Sequence, residues 1–199
     1  MNLLLTGATG FLGSRLAIAL NANPDVNLTA VVRRSVEFPA AHIVEFQGLY
    51  ANTDWSKALT GQQVVIHAAA RAHIMKDEMP DPLAEYRRVN VDSTLNLARQ
   101  AAASGVKRFI FISSIKVNGE KTSLGQPFRA DDMPAPEDAY GISKWEAEQG
   151  LTKIAAETGM EVVIVRPPLV YGPSVKGNFA SMIKLVEKGI PLPIGAVHN

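Results

Sequence analysis

A tyrosine and a lysine stand one helical turn apart in the stretch "AYGISKWEAE". Tyr140 and Lys144 are four positions apart, which places both side chains on one face if the segment is helical. A free tyrosine has a pKa of about 10 and is a poor base at neutral pH. A nearby positive charge favours the phenolate, and each unit by which the pKa falls corresponds to about 1.4 kcal/mol. The pair is therefore a candidate proton acceptor with its activating cation, or else two ordinary surface groups.

Two serines end an apolar run in "FISSIKVNG". If that run is a strand, Ser113 and Ser114 lie at the carboxyl edge of a sheet. A hydroxyl placed there can hydrogen-bond a substrate hydroxyl and the carbonyl that develops from it. A Tyr-x-x-x-Lys pair alone is a weak motif and is usually accidental. A strand-end serine upstream of the pair makes an accident less credible.

The stretch "TGATGFLG" joins the first apolar run to the first helical pattern. Its glycines, Gly7, Gly10 and Gly13, allow a sharp turn and let backbone N–H groups approach a ligand closely. A helix N-terminus that follows such a turn favours a pyrophosphate. The spacing is G-x-x-G-x-x-G instead of the commoner G-x-G-x-x-G. A purely structural turn is the alternative, but a position between strand and helix favours dinucleotide binding.

The second cofactor signal is Arg33, followed by Arg34, at the end of the second apolar run. An acidic residue at this place would favour NAD, whereas an arginine suits a 2′-phosphate. The pair indicates tolerance of NADP or a preference for it, unless both are solvated charges at a strand end. Both NAD and NADP therefore stay open as cofactors.

Alternating apolar runs and helical patterns must position these groups. Continuous apolarity predicts strands buried on both faces, at 2–6, 28–33, 63–69, 107–113 and 161–166. Helical patterns lie between them, at 11–22, 82–105 and 138–159. This alternation predicts an α/β fold with a right-handed, doubly wound parallel sheet of Rossmann type. Residues 34–62 resist the pattern, and residues 117–137 are interpreted as an active-site loop.

Composition narrows the class of protein. Hydrophobic residues make up 47% and charged residues 20%, and the formal net charge is +1, which is typical of a soluble globular protein and favours neither nucleic acid nor a membrane as partner. The sequence contains no cysteine, so disulfides and thiolate metal sites are excluded. We expect no metal and a cytoplasmic location.

Taken together, these motifs resemble the extended short-chain dehydrogenases/reductases, specifically the NAD-dependent epimerase/dehydratase group that acts on nucleotide sugars. "TGATGFLG" is similar to the group's T-G-x-x-G-F-x-G, and "VVIHAAA" to its V-x-H-x-A-A strand. "YRRVNVDSTLNL" is similar to its V-N-x-x-G-T-x-N-L helix, and "VRPPLVYGP" to R-x-x-x-V-Y-G-P. The resemblance runs through all 199 residues.

The resemblance implies specific roles for residues. It implies that the catalytic residues are Ser114, in preference to Ser113, together with Tyr140 and Lys144. Ser114 and Asn178, the latter in "KGNF", are implied to contact the substrate. The implied cofactor contacts are Gly7, Thr9, Gly10, Phe11, Leu12, Gly13, Arg33, Leu49, Ala68, Ala69, Ala70, Asn90, Tyr140, Lys144 and Pro167.

The implied function is a nucleotide-sugar epimerase of the UDP-sugar 4-epimerase type, working through a keto-sugar. Dehydratases of the group carry Asp-Glu where this chain has Ile115 and Lys116, which favours epimerisation, and Pro168 replaces an asparagine near the substrate. An NADP-dependent reductase of ketones or keto-sugars is the alternative that Arg33 supports. A non-enzymatic dinucleotide sensor ranks last, because such proteins often lose the tyrosine or the lysine.

Members of the group continue into a smaller domain that closes over the sugar nucleotide. We therefore expect a dinucleotide-binding domain at 1–170 and an incomplete start of the substrate region at 171–199, with most of the lid missing. A homodimer is expected for the full-length protein. His67 is expected to be a structural hydrogen-bonding group, and Arg87 and Arg88 to face solvent or an oligomer partner.

Overall fold

The computed structural model describes residues 1–34, 38–72, 80–173, 175 and 178–189. Six parallel strands form one sheet in the order β3-β2-β1-β4-β5-β6. The strands are β1 Asn2–Thr6, β2 Asn27–Val32, β3 His42–Glu45, β4 Val64–His67, β5 Arg108–Ile112 and β6 Glu161–Val165. The order runs outward in both directions from β1, so the predicted doubly wound α/β fold is confirmed, with its ligand crevice expected beyond the ends of β1 and β4.

Six α-helices accompany the sheet in the described part of the chain. They are α1 Phe11–Asn21, α2 Ser56–Leu59, α3 Pro82–Tyr86, α4 Ser93–Ala103, α5 Ala139–Thr158 and α6 Asn178–Glu187. The predicted helix at 82–105 is divided, because a π-helical turn at Arg87–Asp92 separates α3 from α4. Such turns often mark functional sites, and this one carries Asn90.

The sheet centre is buried on both faces. Leu4 of β1 belongs to one apolar cluster with Trp55 and Phe111, whereas Leu3 and Leu5 belong to the other. Successive side chains of a strand point to opposite faces, so a strand covered on both sides must be apolar at every position. This explains the continuous apolar runs in the sequence.

The two edges of the described sheet differ from that expectation. Val163 and Val165 of β6 are each 40% exposed, so the prediction that this strand is buried on both faces is wrong. β3 was absent from the predicted strands because it is short and mostly exposed, and lacks a continuous apolar run. α2 likewise lies within the stretch that resisted the pattern.

Helix α5, which carries Tyr140 and Lys144, has well-defined ends. At its start the Asp138 carboxylate accepts a 2.6 Å hydrogen bond from the Gly141 N–H, which satisfies a helix N-terminal donor. At its end Gly159 takes the left-handed conformation, with φ +74°. The predicted helix at 138–159 is confirmed. The predicted domain boundary at residue 170 stays a prediction.

Residues 117–137 form a loop as predicted. It follows a short 3₁₀ turn at Ile115–Val117 and contains one isolated antiparallel bridge, between Ser123 and Gln126. Of the helices among the described residues, none combines the length and apolarity that crossing a bilayer requires.

Candidate active site

The glycine turn is held in direct backbone contact with its neighbours. Gly7 has φ +70°, and a Cβ atom there would lie 2.6 Å from the backbone nitrogen of Ala69. A Cβ on Gly13 would lie 2.0 Å from the carbonyl oxygen of Gly7. Neither position admits a larger residue, because backbone atoms cannot yield as side-chain tips can. The first turn of α1 thus packs tightly against the end of β1, and the turn against the residues after β4.

A cleft of about 370 Å³ opens over this turn. Helix α1 begins at its wall, and Gly10 at the N-cap brings no side chain to the helix N-terminal N–H groups. Of the predicted cofactor contacts, the residues that line the cleft are Gly7, Thr9, Gly10, Arg33, Leu49, Ala68, Ala69 and Ala70. A glycine turn that lets backbone form the cleft floor, next to a helix N-terminus, fits a dinucleotide.

The other predicted cofactor contacts lie elsewhere. Phe11, Leu12 and Gly13 belong to the first turn of α1 and are not among the residues that line the cleft. Pro167 follows β6, where its carbonyl accepts a 3.1 Å hydrogen bond from the Ile115 N–H. Asn178 is the first residue of α6. Their contacts with cofactor or substrate stay predictions.

One wall of the cleft was absent from the predicted contacts. It includes Tyr50 and Arg88, with the Arg88 guanidinium carbon 5.7 Å from the centroid of the Tyr50 ring. Arg88 is also paired with Glu85 at 2.7 Å. It was expected at the solvent surface or in an oligomer contact, and it lines the cleft while its side chain is 46% exposed. Spacing identifies the pair with Glu85, but nothing local indicates the approach of Tyr50.

Asn90, another predicted cofactor contact, connects two parts of the site. Its side-chain oxygen accepts a 2.8 Å hydrogen bond from the Arg71 N–H. Its amide nitrogen donates to the Arg71 carbonyl at 3.1 Å and to Ser143 Oγ at 3.0 Å. Asn90 therefore ties the segment after β4 to α5. Its contact with a cofactor stays a prediction.

The three predicted catalytic side chains meet beyond the carboxyl end of β5. Ser114 lies beside Tyr140, where its hydroxyl favours the phenolate form of the tyrosine. Lys144 Nζ donates to the Ile112 carbonyl at 2.9 Å and lies 5.8 Å from the centroid of the Tyr140 ring. Lys144 is 2% exposed, so this ammonium is held inside the protein and not at its surface.

Burial dominates the electrostatics of this cluster. Burial raises the pKa of Tyr140 to about 12, against the hydrogen bond from Ser114, which favours the phenolate. Burial also lowers the pKa of Lys144 to about 7, although the Glu148 carboxylate opposes that change. The expected lowering of the Tyr140 pKa is therefore wrong for the protein alone. Desolvation is the largest cause of this rise in pKa, and the nearby charges of Asp138 and Lys116 act in opposite directions.

The neighbouring serines have different surroundings. Ser113 Oγ donates to Glu148 Oε1 at 2.5 Å, inside the protein. Ser114 Oγ accepts a 3.3 Å hydrogen bond from the Lys116 N–H and also contacts Tyr140. The fold thus places Ser114, and not Ser113, beside the phenol. The catalytic role of Ser114 stays a prediction, and this geometry supports it.

His67 lies between two hydroxyl groups. Its Nδ1 is 2.6 Å from Thr6 Oγ1 and its Nε2 is 2.9 Å from Thr94 Oγ1. Burial lowers its pKa to about 3, so the ring is neutral at physiological pH. The expected structural role agrees with these contacts. Within the part of the chain that the structure describes, no group of three or more histidine or acidic side chains could hold a metal ion.

Comparisons with known proteins place these features in a family. The profile of the NAD dependent epimerase/dehydratase family matches residues 3–196. A UDP-glucose 4-epimerase of Vibrio cholerae is 52% identical over 196 residues, covering 98% of this chain and 60% of that protein. An N-acetyl-alpha-D-glucosaminyl-diphospho-ditrans,octacis-undecaprenol 4-epimerase of Escherichia coli O157:H7 is 30% identical, covering 100% of this chain and 57% of that protein.

Solved structures give the same answer. A UDP-glucuronic acid 4-epimerase from Bacillus cereus in complex with NAD superposes with a TM-score of 0.79 at 28% identity, over 96% of this chain and 64% of that one. A UDP-glucose 4-epimerase from Thermotoga maritima with UDP-glucose gives 0.78 at 26% identity, over 95% and 64%. This chain therefore spans about 60% of the length of such relatives. Because the family profile matches nearly every residue, the chain belongs to the NAD dependent epimerase/dehydratase family.

Proposed function

We propose that the full-length protein is a nucleotide-sugar 4-epimerase of the UDP-sugar type. The observation that carries this proposal is the meeting of Ser114, Tyr140 and Lys144 beyond β5, at the same edge of the sheet as a cleft that fits a dinucleotide. The likeness to UDP-glucose and UDP-glucuronic acid 4-epimerases supports the substrate class.

Each catalytic residue has a defined task in this proposal. Tyr140 takes the proton from the sugar hydroxyl that becomes a carbonyl, and returns it in the reverse step. Ser114 hydrogen-bonds the same oxygen as its charge changes, and Lys144 holds the cofactor ribose. A nicotinamide dinucleotide supplies the hydride acceptor and donor when bound, without net consumption. Its positive charge would favour the Tyr140 phenolate, which the protein alone disfavours.

The surroundings of Lys116 support epimerisation over dehydration. Lys116 stands where dehydratases of this group have an acidic residue. Its Nζ is paired with Glu120 at 2.7 Å and with Asp138 at 2.6 Å. An ammonium that two carboxylates engage is poorly suited to the additional acid and base work that loss of water requires.

For the cofactor, we propose NAD with tolerance of NADP. The NAD complexes of the UDP-glucuronic acid 4-epimerase from Bacillus cereus support the first part. Arg33 supports the second, because it is exposed at the cleft, where a 2′-phosphate could pair with it. Calorimetry of the folded protein with NAD, NADH, NADP and NADPH tests both. If none of the four binds, the dinucleotide proposal is wrong.

The decisive experiment follows sugar epimers and cofactor together. Full-length protein is incubated with UDP-glucose or UDP-glucuronic acid, and the 4-epimers are quantified by NMR alongside the absorbance of reduced cofactor. Epimer formation without net cofactor use is the expected result. Steady NADPH oxidation with ketones, and no epimer, would support the reductase alternative.

Two further proposals concern assembly and location. The resemblance favours a homodimer for the full-length protein, which sedimentation equilibrium would test. The near-zero net charge of +1 argues against nucleic acid as a partner. A cytoplasmic location agrees with the absence of cysteine from the sequence, and fractionation would test it.

A further inference from the structure

We propose that the buried ion pair of Glu148 and Arg166 is a positioning element that holds Ser114 against Tyr140. Arg166 Nη2 lies 2.6 Å from Glu148 Oε2, and Arg166 Nε donates to Glu148 Oε1 at 3.0 Å. The two side chains are 16% and 1% exposed. This is a two-pronged pair, the geometry in which an arginine and a carboxylate are held most firmly.

The pair connects three segments that surround the site. Ser113 Oγ donates to Glu148 Oε1 at 2.5 Å, which ties α5 to the end of β5. Arg166 Nη1 donates to Asn118 Oδ1 at 3.1 Å, and Asn118 Nδ2 donates to the Arg129 carbonyl at 2.8 Å. The pair therefore joins α5, the end of β5 and the 117–137 loop through buried or partly buried hydrogen bonds.

The backbone transmits this anchoring to Ser114. The Ser113 N–H donates to the Val165 carbonyl at 2.7 Å, and the Ile115 N–H donates to the Pro167 carbonyl at 3.1 Å. These bonds flank Ser114, just after β5, and Arg166, just after β6. When Glu148 holds Arg166 and Ser113, it also sets the position of the serine between those two bonds.

The helix completes the arrangement. Tyr140, Lys144 and Glu148 recur at four-residue intervals on α5, so they lie along one helix face. One end of that face carries the Tyr140 phenol, and the other end carries Glu148, which anchors the segment of the serine beside that phenol. The Ser114–Tyr140 contact thus depends on a carboxylate two helical turns away, which touches neither group.

The chain offers a matched control on the same helix. Glu146 pairs with Arg87 at 2.6 Å, the same separation as in the buried pair. The side chains of Arg87 and Glu146 are 48% and 29% exposed, and the Glu146 carboxylate accepts its hydrogen bonds from Arg87 and not from either serine. Comparing Glu146→Gln with Glu148→Gln therefore distinguishes the effect of losing any ion pair of α5 from the effect of losing the Glu148–Arg166 pair.

The kinetic test, which rests on the proposed function, uses full-length protein carrying Glu148→Gln, Ser113→Ala or Glu146→Gln. Displacing Ser114 from its place beside Tyr140 should lower kcat about tenfold, with the KM for the sugar nucleotide and the Kd for NAD unchanged. Glu146→Gln should behave as wild type. Ser113→Ala is the decisive variant, because it removes only a hydroxyl and leaves every charge unchanged. Glu148→Gln is compared with wild type only if its thermal unfolding is cooperative.

A spectroscopic test does not depend on activity. The full-length protein is labelled with [¹³Cζ]tyrosine, and the Tyr140 resonance is assigned by its absence from Tyr140→Phe. The Tyr140 ¹³Cζ shift reports the hydrogen bond of its phenol, and we expect it to move in Ser113→Ala but not in Glu146→Gln. The charged neighbours Asp138 and Lys116 are the same in all of these proteins.

The outcomes separate the two proposals. A wild-type protein that forms no epimer contradicts the proposed function, and the NMR comparison still decides the positioning role. A wild-type Tyr140 shift in Ser113→Ala overturns the positioning role. So does a loss of activity that appears only in KM or in the Kd for NAD.

Discussion

The cofactor cleft and the catalytic cluster stand at the same edge of the sheet, but they are built in opposite ways. The cleft is shaped where side chains are missing, since Gly7 and Gly13 allow backbone to touch backbone. The cluster is made of side chains that proteins rarely bury. Lys144 is 2% and Glu148 1% exposed.

This difference predicts which substitutions and which changes of pH each region should tolerate. The cleft depends on volume, so one added methyl group should damage it while a change of pH should not. The cluster depends on charge and hydrogen bonding in a desolvated place, where energies are large and protonation states shift. Its responses should therefore appear in turnover and in pH dependence.

The largest expected effect is that of Tyr140→Phe. The ring is kept, so the fold and NAD binding should survive, whereas turnover should fall about 10²–10⁴-fold because the proton acceptor is gone. Steady-state epimerisation and calorimetry measure the two parts. Tyr171→Phe serves as control, because Tyr171 is 71% exposed. If Tyr140→Phe kept wild-type turnover, Tyr140 would not be the proton acceptor and the proposed catalytic role of the cluster would be wrong.

The cleft is tested by comparing Gly7→Ala with Gly105→Ala. Both glycines have positive φ, +70° and +80°, but a Cβ on Gly105 would meet nothing within 4 Å. Both variants lose about 1–2 kcal/mol of the free energy of unfolding to left-handed strain. The collision in Gly7→Ala should add about 1–3 kcal/mol and abolish NAD binding. Urea unfolding and calorimetry check this, and equal losses would mean that the close approach is unimportant.

The pH dependence of stability in Lys144→Met tests whether the catalytic cluster responds to charge. The pKa of Lys144 is lowered to about 7 from its ordinary 10.5, so between these values the unfolded chain binds more protons than the folded protein. Wild-type stability should therefore rise with pH through this window. Lys144→Met lacks this titrating group, so the difference between its free energy of unfolding and that of wild type should fall by about 1.4 kcal/mol per pH unit between about pH 7.5 and 9.5.

The matched control for that measurement is Lys153→Met. Lys153 lies on the same helix with its side chain 78% exposed, so its replacement should give a difference from wild type that is constant over the same pH range. Urea unfolding at several pH values provides the comparison. A flat difference for Lys144→Met as well would show that burial does not lower the pKa of Lys144.

The smallest expected effect is that of Arg33→Ala. Arg33 is exposed at the cleft, and an exposed ion pair contributes at most about 1 kcal/mol. NADP affinity should fall by up to about fivefold while NAD affinity stays constant. Calorimetry with both cofactors measures this, with Arg34→Ala as control. Equal changes for NAD and NADP would contradict the role of Arg33 towards a 2′-phosphate.

The sequence by itself determined the central strands, the helices α1 and α5 and the glycine turn. These features depend on local physics. A strand covered on both faces needs an unbroken apolar run, as β1 shows, and α5 carries its own end signals in Asp138 and Gly159. The order of Ser114, Tyr140 and Lys144 along the chain was likewise visible, because each lies at a recognisable end or turn of such an element.

Only the tertiary structure decided the rest. It assigned Ser113 to Glu148, 35 residues away, and left Ser114 beside the phenol. It brought Arg88 against Tyr50, and it set the direction in which the Tyr140 pKa moves. These outcomes depend on which distant groups share a desolvated space. The spacing of residues along the chain cannot predict which distant groups are buried together, because burial depends on the packing of the whole chain.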